Sequence, residues 1–309
     1  MRIAWISYLD AQVFGGGGEL HQRSLIAAGR ERGHVITESP FLRARPQRLL
    51  RRSGLYRRLD VDWDADAFVL SDIENCPELR CRIPRSVATR ALGTGRAIVY
   101  ANAWVDVCRF NMPCGGDPER CRPDCDRSWA DALYDQARVA VFMSPMHRDM
   151  IAGVLSVPLP EQTILCRPPI EVDMFKPLGL HRDIDVLYVG TINETKGYKN
   201  LIDRFGPGSV TFAGRKMIDG PLAGTFLGEV PHERLPETYN RAKVFAHLPE
   251  WHEPFGRTIV EAALCGCQVV TNSRVGAMSY PDADWSDPAN VRGSADRFWA
   301  DLEAAVGSW

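Results

Sequence analysis

Two glutamates eight positions apart, Glu253 and Glu261, are the side chains best suited to binding a polar ligand. Glu253 stands before a Pro-Phe-Gly turn, and Glu261 falls inside the helix that the apolar spacing predicts from Thr258 onward. Backbone N–H groups at the start of a helix attract anions, and Gly256 would let such a ligand approach the backbone closely. Two carboxylates beside an anion site suit a ligand that carries both phosphates and hydroxyls, such as a nucleotide sugar.

Short apolar runs predict the strands that position these residues. A strand over 244–248 leads to the Glu253 turn, and a short buried strand over 269–271 follows the helix, which Gly266 ends. A further buried strand over 185–190 precedes the loop that contains Lys196. Strands that alternate with helices in this way predict an α/β fold.

The N-terminal part of the chain has the same order of strand, turn and helix. A strand over 2–9 is followed by a run of four glycines, 15–18, and then by a helical stretch. Within the run, Gly16 and Gly17 would let backbone amides approach a phosphate or a sugar, although an ordinary flexible loop has the same composition. Further strands are predicted over 67–70, 96–101 and 139–143.

The segment from Glu253 to Val270 resembles the E-x7-E signature of the family-4 glycosyltransferases of GT-B fold. The resemblance covers nearly the whole chain and is most marked over 185–276. It implies an α/β fold of two Rossmann-like domains with the active site in the cleft between them. It also implies that Glu253 contacts the donor sugar and that Glu261 contacts the nucleotide ribose.

The same resemblance assigns the rest of the donor site. Lys196 would bind the donor diphosphate, and the backbone around Val230 would receive the nucleotide base. This chain has Thr191 where the family has a second diphosphate-binding cation, an arginine, so Lys199, Arg215 or Arg257 would have to replace that charge. The remaining implied donor-binding residues are Gly16, Gly17, Phe255, Gly256 and Thr258.

The implied reaction transfers a sugar from a nucleotide-diphosphate sugar to an acceptor hydroxyl with retention of configuration. Lys196 and the start of the helix would stabilise the leaving diphosphate, and Glu253 would fix the sugar. Glu253 and Lys196 are therefore the candidate catalytic residues. Because the positions that carry charge in the family are incomplete here, a non-catalytic nucleotide-sugar-binding protein is an alternative.

Two further features bear on the site. The family often has a histidine just after the strand over 96–101 that helps orient the sugar; none stands there in this chain, and Asn102 or Asp106 is the candidate substitute. The acidic segment 62–66 has D-x-D spacing, which binds divalent metal in another glycosyltransferase fold. It leads directly into the strand over 67–70, so we interpret it as turn chemistry and expect no catalytic divalent metal.

Four cysteines lie close together in an apparent insertion at about 105–128, which is rich in proline, glycine and charge. In a chain that shows no secretory signal, such a cluster favours metal over disulfides, and zinc is the default for four thiolates. An iron–sulfur cluster, disulfides or unlinked thiols are the alternatives. The candidate ligands are Cys108, Cys114, Cys121 and Cys125.

Length and charge predict the organisation of the chain. With 309 residues and a net charge of −2, two domains are expected and no polyanionic partner is required. We place an acceptor-side domain at 1–172 and a nucleotide-sugar-binding domain at 173–309. No run of 18 apolar residues occurs, so the protein is expected to be cytoplasmic. The oligomeric state does not follow from the sequence.

The acceptor is not specified by the motifs. A saccharide or a lipid-linked molecule is the default that the resemblance implies, and modified bases of DNA are an alternative. The segment 43–58 contains seven arginines interleaved with leucine and tyrosine. It is either a solvated surface or a face that meets an anionic acceptor.

Overall fold

The computed structural model describes residues 1–13, 15–42, 60–71, 73, 85–108, 112–121, 126–281 and 283–307. The chain divides into two compact units. Unit 1 contains Met1–Pro169 together with Gly293–Trp309, and unit 2 contains Ile170–Arg292. The Arg-rich segment 43–58 lies outside the described residues. None of the helices in the described ranges is long and apolar enough to cross a membrane.

Unit 1 is built on a six-stranded parallel sheet of order β2-β1-β3-β4-β5-β6. The central strands are continuous apolar runs because helices cover both faces of a parallel sheet. In β1 the side chains of residues 3–8 are all buried. The strands are β1 (Arg2–Leu9), β2 (Val35–Leu42), β3 (Ala67–Ser71), β4 (Ala97–Ala101), β5 (Val139–Phe142) and β6 (Gln162–Leu165).

The helices of unit 1 start where the sequence provides caps. Asp126 and Ser144 each accept a hydrogen bond from a backbone N–H of the helix that follows, as N-cap residues do. Gly16 caps the first helix without a side-chain bond. The helices are α1 (Gly17–Glu31), α2 (Arg85–Leu92), α3 (Arg127–Asp135), α4 (Pro145–Val154) and, at the C-terminus, α8 (Ser294–Gly307).

The C-terminal helix α8 belongs with unit 1. The indole Nε1 of Trp299, a fully buried side chain, donates to Leu25 O at 2.7 Å. Glu303 accepts from Arg32 Nη2 at 2.7 Å, and His34 Nε2 lies 2.8 Å from the same carboxylate. The predicted division at residue 172 placed this segment in the second domain. The structure differs because the apolar face of α8 is buried against α1 and β6.

Unit 2 has a five-stranded parallel sheet of order β11-β10-β7-β8-β9. The predicted strand over 269–271 forms, but it lies at the edge of the sheet and its residues are only partly buried. The prediction that this strand is buried was therefore wrong. The strands are β7 (Ile184–Val189), β8 (Val210–Ala213), β9 (Thr225–Phe226), β10 (Ala242–His247) and β11 (Gln268–Thr271).

The helices of unit 2 begin at the carboxyl ends of its strands. Two of them start at a glycine with positive φ: Gly197 has φ 88° and Gly256 has φ 97°. A Cβ on Gly197 would lie 2.0 Å from Leu248 O, so the backbone of this turn sits directly against the end of β10. The helices are α5 (Tyr198–Phe205), α6 (Leu235–Asn240) and α7 (Arg257–Leu264).

Candidate functional site

The candidate site of unit 2 lies in loops that follow β7 and β10. These strands are hydrogen-bonded neighbours, so their carboxyl ends open at the same edge of the sheet. Lys196 stands in the loop after β7, immediately before α5. Glu253 stands in the loop after β10, just before α7. This edge is where parallel α/β sheets bind ligands.

Glu253 and Lys196, 57 positions apart, form an ion pair in the structure. Lys196 Nζ donates to Glu253 Oε1. The indole Nε1 of Trp251 donates to the same oxygen at 2.9 Å, and His247 Nε2 lies 3.4 Å from it. The Glu253 backbone is fixed as well, since its N–H donates to Arg274 O at 2.8 Å.

Glu253 is a buried residue, 8% exposed, and the charge of its carboxylate is stabilised by its neighbours. Burial alone would raise the pKa of Glu253, but the cationic Lys196 and the nearby His247 outweigh burial and lower the pKa to about 2. At neutral pH this side chain is an ionised acceptor of hydrogen bonds. It is therefore suited to binding hydroxyl groups and not to donating a proton.

Lys196 is held from two sides. Its backbone N–H donates to Asn193 Oδ1 at 2.8 Å, and its ammonium lies 4.2 Å from the centre of the Trp251 ring. A cation over an aromatic face is electrostatically stabilised. The side chain remains partly exposed, so its charge is available to a ligand that enters beside Glu253.

The start of α7 lies directly after Glu253. Gly256, the N-cap residue, has the left-handed conformation, and a Cβ there would lie 2.7 Å from Val275 Cγ1. Phe255 is buried and packs edge-to-face against Trp285, with ring centroids 5.5 Å apart. The packed Phe255 and the left-handed Gly256 fix the turn that leads into α7, and the start of a helix is a place that attracts anions.

Glu261 is buried inside α7 and is engaged with other side chains of unit 2. Tyr239 donates its hydroxyl to Glu261 Oε2 at 3.2 Å, and Arg257 Nη2 lies 3.4 Å from Oε1. His232 Nε2 is 3.6 Å from Oε1. Burial would raise the pKa of Glu261, but His232 and Arg257 lower it, so the carboxylate is ionised.

The loops that carry Thr191 and Arg215 are joined by backbone hydrogen bonds. Ile192 N donates to Arg215 O at 2.8 Å, and Tyr188 donates its hydroxyl to Thr191 O at 2.7 Å. Arg215 is exposed, and Val230 is partly buried. No hydrogen bond or ion pair between the described residues connects Thr191, Arg215 or Val230 to Glu253. Their assignment to the donor site stays a prediction.

The candidates in unit 1 differ in exposure. Gly16 and Gly17 are exposed at the start of α1. A Cβ on the next residue, Gly18, would lie 2.2 Å from Asn102 Nδ2, so Asn102 is directly beside the glycine turn. Asp106 is 3% exposed and accepts a hydrogen bond from the buried hydroxyl of Tyr134. Its position is structural, which disfavours it as the substitute for the missing histidine.

The cysteine cluster is only partly described. Cys114 and Cys121 bring their sulfur atoms to 3.6 Å, and Cys108 is a buried thiol. Cys125 lies outside the described residues. In the part of the chain that the structure describes, no group of three or more His, Cys, Asp or Glu side chains could hold a metal ion. With Cys125 outside the described residues, the predicted four-cysteine zinc site stays a prediction.

Four residues of the site were not identified from the sequence. Trp251 and His247 contact Glu253, while Tyr239 and His232 surround Glu261. Trp251 stands two positions before Glu253, and an aromatic side chain so near a candidate carboxylate could have been noted. The other three come from elements whose approach depends on the fold of unit 2.

Comparison with known sequences finds a family model and a relative that match parts of this chain. Residues 223–282 match the family model described as "Glycosyl transferases group 1", and this segment contains Glu253 and Glu261. Spore coat protein SA of Bacillus subtilis (strain 168) is 24% identical, over 56% of this chain and 66% of that protein. The match thus spans slightly less than two thirds of the relative's length.

Solved structures resemble the whole chain. Anabaena Alr3699/HepE in complex with UDP and glucose matches 99% of this chain and 92% of its own, with a TM-score of 0.61 and 15% identity. An alpha-glucosyltransferase in complex with UDP-glucose and DNA containing an abasic site matches 99% and 92%, with a TM-score of 0.52 and 11% identity. The chain has the GT-B fold of such enzymes. Together with the matched segment, this fold supports placing the chain in a glycosyltransferase family.

Proposed function

We propose that this protein is a retaining glycosyltransferase that moves a sugar from a nucleotide-diphosphate sugar to an acceptor hydroxyl. The observation that carries the proposal is the buried Glu253 carboxylate, paired with Lys196 directly before the start of α7. A cation and a helix start suit a diphosphate, and an ionised carboxylate suits sugar hydroxyls. Neighbours of the same fold hold UDP or UDP-glucose, which makes these the first donors to test.

These residues would promote the reaction by stabilising charge and by positioning the sugar. As the bond between sugar and diphosphate breaks, negative charge grows on the leaving diphosphate. Lys196 and the backbone amides of Arg257 and Thr258 would stabilise that charge, and Glu253 would hold the sugar in place. The proton of the acceptor hydroxyl would pass to the leaving diphosphate as the new glycosidic bond forms. No protein group then changes its protonation state, which agrees with the low pKa of Glu253.

Calorimetric titration with a panel of nucleotide diphosphates and their sugars tests the donor site. We expect one nucleotide to bind, and expect Lys196→Ala to weaken its binding about tenfold or more because a cation facing the diphosphate is lost. Glu261→Ala should weaken it as well if this carboxylate faces the ribose. Lys243→Ala is the matched control, since Lys243 is an exposed partner of Asp185 in the same unit. Absence of binding for every nucleotide would overturn the proposal.

A non-catalytic nucleotide-sugar-binding protein is the alternative that the missing arginine at Thr191 favours. The two functions differ in turnover of the bound donor. An enzyme releases free nucleotide diphosphate. Release is slow when water takes the sugar and faster when an acceptor is present. A chain that binds the donor tightly and leaves it intact under all acceptor conditions would be a binder.

The acceptor is a saccharide, a lipid-linked molecule or a modified base of DNA. The DNA alternative draws on the arginine-rich segment 43–58. If this segment meets nucleic acid, binding of duplex DNA weakens steeply as salt rises, because phosphate contacts release counterions. If the protein does not bind duplex DNA even at low salt, the DNA alternative is excluded. The saccharide and lipid-linked acceptors then remain.

A structural zinc ion on the cysteine-rich segment remains part of the proposal. The 3.6 Å between the Cys114 and Cys121 sulfur atoms is compatible with two ligands of one tetrahedral ion, in which sulfur atoms lie about 3.8 Å apart. Metal analysis of the purified protein tests it: we expect one zinc per chain. Much less than one, with all thiols titratable, would contradict it.

A further inference from the structure

In the part of the chain that the structure describes, Glu253 contacts its polar neighbours through one of its two carboxylate oxygens. Lys196 Nζ and Trp251 Nε1 both donate to Oε1, and His247 Nε2 lies 3.4 Å from that atom. Among the residues that the structure describes, none is a hydrogen-bond partner of Oε2. The carboxylate is thus held at Oε1 and keeps Oε2 for an incoming ligand.

Trp251 acts on the pair through two parts of its side chain. Its indole N–H donates to Glu253 Oε1 at 2.9 Å, and its ring face lies 4.2 Å below Lys196 Nζ. The ring is partly exposed, so it is not simply a core residue. A substitution to phenylalanine would remove the N–H and keep an aromatic face for the ammonium. This separates the effect on Glu253 from the effect on Lys196.

His247 approaches the carboxylate from the end of β10. The ring is 4% exposed and stacks on Tyr188, with ring centroids 5.7 Å apart. Its Nδ1 is buried and has no hydrogen-bond partner among the residues that the structure describes. Because burying an unpartnered polar atom is unfavourable, a leucine would be the simpler residue for this position. Among the described residues, the polar contact of the His247 ring is the approach of Nε2 to Glu253 Oε1.

We propose that Trp251 and His247 are positioning residues that hold Oε1 of Glu253, so that Oε2 accepts a hydroxyl of the donor sugar. The sugar contact rests on the proposed function, whereas the hold on Oε1 is a property of the free protein. The N–H donors of the two residues should therefore matter for the sugar of the donor and not for its nucleotide.

The first test compares UDP-glucose with UDP in calorimetric titrations. We expect Trp251→Phe to weaken UDP-glucose binding about tenfold and UDP binding less than about twofold. His247→Leu should act in the same direction, and His247→Gln, which restores an N–H donor, should recover part of the loss. Trp299→Phe in unit 1 is the matched control, because it also removes an indole hydrogen bond, to Leu25 O. It should leave both affinities unchanged.

The second test follows the titration of Glu253 in the ligand-free protein. Carbon-13 NMR of labelled glutamate carboxylates, assigned with Glu253→Gln, reports its protonation directly. Loss of an N–H donor makes the ionised form less favourable, so the pKa of Glu253 should rise in Trp251→Phe and in His247→Leu. Thermal unfolding of each variant shows whether it is folded.

The outcomes separate this inference from the proposed function. Equal losses for UDP and UDP-glucose in Trp251→Phe, or no loss for either, overturn the positioning role. An unchanged Glu253 titration in both Trp251→Phe and His247→Leu overturns it as well. If the wild-type protein binds neither UDP nor UDP-glucose, the proposed function fails for uridine donors. The ligand-free titration then still decides whether Trp251 and His247 hold Glu253.

Discussion

At the scale of single residues, the charge on Glu253 links the site to the stability of unit 2. The pKa of Glu253 in the folded protein is about 2, below its ordinary value of 4.5. A carboxylate with a lowered pKa stabilises the folded state at pH values above its unfolded pKa. That contribution is lost as the pH falls from about 4.5 toward about 2.

Glu253→Gln should therefore be most destabilising, relative to the wild-type protein, near neutral pH. The difference in unfolding free energy, on the order of 3 kcal/mol, should shrink as both proteins are acidified below pH 5. Native-state hydrogen exchange of the β10 amides measures it. Glu237→Gln, at an exposed carboxylate paired with Arg234, is the control and should have little effect at any pH. A Glu253→Gln deficit that stays constant from pH 7 to pH 3 contradicts this assignment.

The sequence identifies the two residues of the ion pair but neither their pairing nor their surroundings. Glu253 and Lys196 were selected separately, and the structure brings them together. Trp251 and His247 were not selected, because their role depends on where their ring nitrogens point. Asp106 was selected as a polar residue in the right loop, yet it is buried beside Tyr134. Residue type and spacing identify a carboxylate, whereas its partners follow from the packing of distant segments.

At the scale of elements, the turn before α5 connects backbone geometry to the position of Lys196. Gly197→Ala should be destabilising by several kcal/mol, because a Cβ would lie 2.0 Å from the backbone oxygen of Leu248 at a φ of 88°. Relief of this clash would displace the adjacent Lys196, so nucleotide binding should weaken as well. Thermal unfolding and calorimetric titration measure the two effects.

The control for this prediction is Gly208→Ala. Gly208 has nearly the same φ, 86°, but a Cβ there would meet no atom within 4 Å. Only the cost of a left-handed conformation, roughly 1–2 kcal/mol, should appear, and nucleotide binding should be unchanged. Equal losses of stability in the two variants would show that the contact with Leu248 is unimportant.

Among the elements, most central strands are predicted from the sequence, although the short central strand β8 was not, and three of the four edge strands were missed. The apolar runs of β1, β3, β4, β5, β7 and β10 predict strands because both faces of these strands are buried. The edge strands β2, β6 and β9 were not predicted. They are short or polar, and β2 contains Pro40, which sheet edges tolerate. The remaining edge strand, β11, was predicted as buried because its apolar residues do not reveal that one side lacks a neighbour.

At the scale of the whole molecule, the chain returns to unit 1 after completing unit 2. The sequence over 294–306 predicts a helix but not which sheet it covers, since its aromatic residues Phe298 and Trp299 could pack on either unit. The structure settles the choice through particular contacts. Trp299 reaches Leu25 and Glu303 reaches Arg32, both on or beside α1. A Cβ on Gly29 would lie 2.4 Å from the Trp299 ring, so α1 and α8 are fitted closely to each other.

This arrangement predicts that core substitutions at Trp299 and Trp285 act on different units. Trp299→Ala removes a fully buried ring and should destabilise unit 1 by about 3–5 kcal/mol. Hydrogen exchange should then lose protection in β1 and α1 before β7 and β10. Trp285→Ala, which removes a buried ring packed on Phe255, should give the reverse order. Equal loss of protection in both sheets after Trp299→Ala would mean that the units unfold together.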